Sequence, residues 1–247
     1  MGNSQLCAYG DMVISGQGEI EGIGKAVYCS GGSVVIDGPS ITSTGDSAIG
    51  VRDGGSVEMI DGEVTAQEVG ILGTHGANIT VKGGTIKGID NYAVGGNGSV
   101  GYGGTTINIE GGTLIGNITS PGYEACAIYH PNDGVLNISG GTIIANGGAG
   151  IVMRGGELHM TGGSVTSTGE PGTTGWVGDK KTKMNLSAVI YDYHANYPAK
   201  DTLLVEIGEG VELTGVDAQV QVYSSEEHPK VTVAEGIQVV YATAPEA

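Results

Sequence analysis

Residues 107–118 read INIEGGTLIGNI, a stretch in which Ile107 and Ile109 alternate as in a strand before Gly111-Gly112 interrupts them. The frame is apolar, any, apolar, any, then usually Gly-Gly, any, apolar. It returns as VVIDGPSI from 34, VEMIDGEV from 57, ITVKGGTI from 79, LNISGGTI from 136 and LHMTGGSV from 158. The steps between successive starts are 23, 22, 28, 29 and 22 residues. A second phrase, a small residue followed by an aliphatic, keeps the same beat at Ala26-Val27, Ala48-Ile49, Gly70-Ile71, Ala93-Val94, Ala127-Ile128 and Gly150-Ile151. Two phrases locked in phase define a repeat architecture, and the period decides the fold.

Apolar residues two apart give the period of a strand, and no stretch sustains the three-and-four spacing of an amphipathic helix. Each unit holds about three short strands joined by corners of Gly, Asn, Asp and Ser, the residues that tolerate positive backbone dihedrals. Parallel strands of successive units stack only if every coil returns to its start, and the usual crossover hand makes that coil right-handed. The expected fold is therefore all-β: a single-stranded right-handed parallel β-helix of about eight coils of 22–23 residues. Within INIEGGTL, Ile107, Ile109 and Leu114 should point into the bore, Asn108 outward, and the glycines should turn the corner. Composition agrees, since 48 Gly among 247 residues would suggest disorder if Ile, Val and Leu did not arrive on schedule.

Regular coils are expected over 1–187, with insertions near 95–104, 116–126 and 168–186, and irregular C-terminal coils or a cap of the same domain over 188–247. The opening MGNSQLCAYG lacks the charged and apolar regions of a signal peptide. Since MVISG (12–16) mirrors VVIDG (34–38), the chain reads as a piece excised in mid-coil from a longer protein. Cys7 stands 22 residues before Cys29, which predicts that the two stack on adjacent coils as a disulfide or a pair of buried thiols. Cys126 lies about four coils from Cys29, roughly 19 Å at ~4.8 Å per layer, too far to be bridged.

A net charge of -17 argues against nucleic acid and anionic lipid as partners, and no apolar run reaches the length of a membrane span. A monomer is expected. The histidines show no metal spacing, GGNGSVGYGG (95–104) lacks the Lys-Ser/Thr ending of a phosphate loop, and no cofactor is expected. Outward rows follow from the period. On the first face they hold Tyr28, Gly50, Leu72, Gly95, Tyr129, Val152 and Ile190, with Arg154 beside Asp192 two positions on as an exposed ion pair. On the next face they hold Val35, Glu58, Thr80, Asn108, Asn137 and His159. These rows contain no layered acid cluster of the kind glycoside hydrolysis needs. His130 with Asp133, in AIYHPNDG (127–134), is the remaining acid–base candidate, and corner hydrogen bonding is the competing role for that histidine.

Departures from the period locate a candidate ligand site, because insertions in solenoids gather on a functional face. Two long detours leave the same corner, separated by the short turn Ala145-Asn146-Gly147-Gly148. One carries Tyr123 and the other carries Trp176 and Asp179. With Tyr129 and Asn146 as floor, these residues would supply the flat apolar faces and polar groups that a sugar needs.

ISGGTI (138–143) and its variants give residues 10–187 a resemblance to β-helix segments of large surface proteins and adhesins of gut-type Gram-positive bacteria, and the fold resembles the pectate-lyase-like superfamily. That resemblance implies an extracellular or cell-surface module without catalysis, either a rigid spacer or a binder of glycan or host ligand. It also raises a second expectation, a polysaccharide lyase or glycoside hydrolase, since the superfamily contains both.

Overall fold

The computed structural model describes residues 5–96, 104–118, 126–130, 133–169, 175–176, 183–184, 186–192, 204–223 and 230–242. Among these residues the regular structure is all strand, and every pairing within the two large sheets is parallel. The ten-stranded sheet is the first face of a solenoid, one strand per layer from Leu6–Ala8 to Val239–Ala242. The fifteen-stranded sheet contains the second and third faces, exemplified in one coil by Thr105–Ile109 and Thr113–Asn117. Coils are numbered here by their first-face strands, so that Val94–Gly96 opens coil 5, Cys126–His130 coil 6, Ala149–Met153 coil 7 and Ser187–Asp192 coil 8.

The glycine phrase explains why the second and third faces form one sheet. In coils 2 and 3 the corner is Asp-Gly, and single strands, Ser33–Ser43 and Ser56–Ala66, run through it. From coil 4 onward the corner is mostly Gly-Gly and the strand breaks in two, as between Asn78–Val81 and Thr85–Gly88. Three short strands per coil thus describes coils 4 to 8, whereas coils 2 and 3 carry two. The extra residue in coil 3 is taken up as a bulge at Ile60, which is left 40 % exposed.

At the Gly111-Gly112 corner both glycines give clearance to the coil beneath, and Gly112 also supplies a backbone conformation. Gly112 adopts φ +79°, the left-handed region in which a Cβ is strained. A Cβ on Gly111 would collide with the carbonyl oxygen of Lys82 in the coil beneath. The small residue of the second phrase is likewise a matter of clearance: a Cβ on Gly150 would strike Val165 across the bore.

Register follows the sequence frame. Ile79, Ile107, Leu136 and Leu158 are aligned, as are Val81, Ile109, Ile138 and Met160, and all are buried in one continuous column. Burying each such side chain is worth roughly 1.5–3 kcal/mol, a gain available only because the neighbouring layer covers it. Thr80, Asn108 and Asn137 alternate outward and are tied together: Asn108 donates to Thr80 Oγ1 at 3.3 Å and Asn137 donates to Asn108 Oδ1 at 2.9 Å.

Cysteine stacking differs from the expectation. The partner of Cys29 is Ala8, and Cys7 sits opposite Tyr28. Met12 does align with Val34 at the 22-residue step, but the preceding corner is Tyr9-Gly10 in coil 1 against Ser30-Gly31-Gly32 in coil 2. One residue fewer in that corner shifts the first-face strand by one, and a one-residue shift turns each side chain to the other side of the sheet. Cys7 is exposed, Cys29 and Cys126 are buried, and all three are thiols.

Candidate functional site

The corner between the third face and the first is built from three aligned strand ends. Register places Asn117, Asn146 and Thr168 in one row across coils 5, 6 and 7. Asn146 Nδ2 donates to Asn117 Oδ1 at 2.6 Å, and Thr168 Oγ1 donates to Asn146 Oδ1 at 3.3 Å. The backbone repeats the tie, with Ile118 N–H on the Asn146 carbonyl and Gly147 N–H on the Thr168 carbonyl, each at 2.8 Å. Asn146 is exposed, and an amide with two donor hydrogens keeps one beyond the bond it donates along the ladder. Coil 6 crosses from Asn146 to Ala149 through two residues, while coils 5 and 7 leave the same row into the long segments that precede Cys126 and Ser187.

The remaining candidates occupy different surroundings. Tyr123 and Asp179 lie outside the described residues. Trp176 has its backbone on a two-residue strand, Gly175–Trp176, paired antiparallel with Lys183–Met184 inside the second insertion. Tyr129 falls in the expected outward row, aligned with Val152 and through it with Ile190, but it is 1 % exposed. It belongs to a second apolar cluster, on the outer side of the first face, with Tyr92, Cys126, Val152, Ile190 and Tyr223. The rings of Tyr92 and Tyr129 are 5.6 Å apart and tilted by 37°. A ligand would have to displace whatever covers Tyr129 before meeting its ring.

Two positions beyond that row, Arg154 is fully buried. The expected exposed pair with Asp192 is therefore corrected as regards Arg154, because strand parity fixes the side on which a residue projects and not the depth at which it is covered.

His130 faces inward. It is fully buried, aligned with Met153, and its ring lies between two backbone carbonyls, with Nδ1 3.2 Å from the Gly155 oxygen and Nε2 3.1 Å from that of Thr105. Burial lowers its pKa below the ordinary 6.5, against the opposing pull of those carbonyls and of the Asp133 charge. A neutral imidazole has one N–H, so one carbonyl receives a bond and the other faces a bare nitrogen. Asp133 is exposed immediately before the strand Gly134–Ile138. The histidine ring sits between coil 5 and the corner that follows coil 7's first-face strand, and neither ring nitrogen faces solvent.

One group escaped the sequence reading. His159 continues the row of Asn108 and Asn137, and Glu206 aligns with it from coil 8. Its Nδ1 is 2.9 Å from Glu206 Oε2 and its Nε2 is 3.0 Å from Glu157 Oε2. Burial pushes the imidazole pKa down, yet the two carboxylates outweigh that and hold it above 6.5. The signal was VEIG at 205–208, which repeats the frame of LHMT at 158–161 after a detour that hid the alignment. Among the described residues no group of His, Cys, Asp and Glu is arranged to hold a metal ion.

Comparison with family models, curated proteins and solved structures finds no match to this chain.

Proposed function

We propose that the chain is a non-catalytic β-helix module of an extracellular bacterial surface protein that binds a glycan or host ligand at the third-to-first corner of coils 5 to 7. The observation that carries this reading is the Asn117–Asn146–Thr168 ladder: a fixed polar edge from which both long insertions depart. A rigid edge lowers the ordering cost of binding, and the inserted segments that follow it in the sequence contain Tyr123, Trp176 and Asp179. The likeness to adhesin β-helices and the pectate-lyase-like superfamily supports the surface setting. A glycan array probed with the intact protein and with Trp176→Ala tests the proposal. Selective binding that falls at least tenfold in the variant supports it, and absence of binding to any glycan leaves a rigid spacer.

A polysaccharide lyase or hydrolase is the second reading, and the Glu157–His159–Glu206 group favours it by placing two carboxylates on adjacent coils of one face. Incubation with pectin, alginate and glycosaminoglycans, followed by absorbance for unsaturated ends and by reducing-sugar release, separates the two. Turnover abolished in Glu157→Gln and Glu206→Gln would establish the enzyme.

A further inference from the structure

Resting on the glycan-binding reading, we infer that the third face of coils 5 to 7 is the docking surface for an uncharged, extended polysaccharide chain. Three strands make it: Thr113–Asn117, Thr142–Asn146 and Ser164–Thr168, in unbroken register. Leu114, Ile143 and Val165 fill the bore, so the alternate positions project outward and are half-buried or exposed. Those positions read Thr, Ile, Asn on the first two strands and Ser, Thr, Thr on the third. They form a three-by-three lattice spaced about 4.8 Å between layers and roughly 6.6 Å along each strand.

Not one of the nine is charged, in a chain with 27 acidic and 10 basic residues. The contrast extends to the flanking coils of the same face. Below, Lys87 aligns with Ile115 and Glu63 with Thr85; above, Glu212 aligns with Ser164. The neutral patch coincides with the three coils whose far column is the Asn117–Asn146–Thr168 ladder, so lattice and insertion corner are continuous.

That chemistry selects the occupant. Ile115 and Ile144 stand side by side and present methyl groups to the C–H faces of sugar rings, while hydroxyls and amides on both sides match sugar hydroxyls. Docking a neutral chain removes no ionic group from water, whereas a uronate or sulfate would approach a surface whose surroundings are net acidic. The layer spacing is close to the length of one hexopyranose in an extended 1,4-linked chain, so a polymer lying along the solenoid axis meets a similar triplet at each unit. The backbone is locked by two neighbouring layers and loses little freedom on binding.

Affinity electrophoresis of the full chain in gels containing β-glucan, xylan or mannan, and in parallel pectate, alginate or hyaluronan, tests this. Retardation by at least one neutral polymer is expected, weakened tenfold or more in Ile144→Glu and in Thr166→Glu. Both are outward substitutions on different coils, and far-UV circular dichroism confirms their folding. Retardation by charged polymers alone, with both variants unaltered, overturns the inference while leaving glycan binding intact. Failure to bind any polymer overturns both. Sedimentation at the same concentrations closes the remaining route: a dimer that Ile144→Glu dissociates would assign the lattice to a second copy of this chain and overturn the inference.

Discussion

A corner glycine shows at the residue scale how much of this fold is clearance. Gly112 needs a left-handed backbone and its Cβ would stand 2.9 Å from the Gly84 carbonyl oxygen, so Gly112→Ala should cost at least about 1–2 kcal/mol. Gly111→Ala should cost more than Gly112→Ala, because its methyl group would stand closer to the Lys82 carbonyl oxygen of the coil beneath than the 2.9 Å of the nearest atom at Gly112, and a strand must shift to admit it. Urea unfolding of the two variants checks both the sizes and the order. His159 supplies a second residue-scale test. Its folded pKa is raised above the unfolded 6.5, so its contribution is fully present below 6.5 and is lost as pH rises through the folded pKa. Between pH 6 and 8 the wild type should lose urea resistance relative to His159→Gln; parallel pH dependences in the two proteins would refute a stabilising ion pair of His159 with Glu157 and Glu206. Residues of this kind differ in legibility. Gly-Gly announced a corner because few other pairs tolerate one. The Glu206 contact did not, since 47 residues separate it from His159 and only register brings them together.

At the scale of the strand, period determines direction but says nothing of depth. The outward row read from the sequence on the second face is the row the register shows, from Val35 and Glu58 through Thr80, Asn108 and Asn137 to His159. The outward row of the first face was equally legible, and Tyr129, Val152 and Ile190 do line up. What the pattern could not contain is that Tyr129, Val152 and Ile190 are buried while Tyr28 and Leu72 in the same row are only half-buried, because burial depends on contacts that the period does not encode. The same limit explains Cys7: a strand's inner and outer sides invert when one corner loses a single residue, and corner lengths are not periodic. If the outer cluster is a packed second core, Tyr129→Ala should destabilise by about 3 kcal/mol, the lower end of the range for large aromatic truncations. An exposed sugar platform at that position would instead tolerate the change within about 0.5 kcal/mol. Thermal and urea unfolding distinguish these outcomes whichever ligand is bound.

A solenoid differs from a globular domain in that each layer rests only on its neighbours, so opening can start at one end and stop partway. The three thiols happen to sample that property along the axis. Cys7 is exposed on the first coil, Cys29 is buried one layer on, and Cys126 is buried in coil 6. Burial also raises the Cys29 pKa, which lowers its thiolate fraction further while the coil is closed. Cys7 should accordingly react at once with a disulfide reagent in the native protein. Cys29 should react by partial opening of the first coils, at a rate that depends weakly on urea because little surface is exposed. Cys126, with coils stacked on both sides and the outer cluster over it, requires a larger opening and a steeper urea dependence. Single-cysteine variants labelled across a urea series measure the two slopes. Equal slopes for Cys29 and Cys126 would mean that the stack opens only as a whole, and the one-dimensional picture of its stability would have to be abandoned. A shallow slope for Cys29 beside a steep one for Cys126 would show that the aliphatic column, continuous though it is, comes apart one layer at a time.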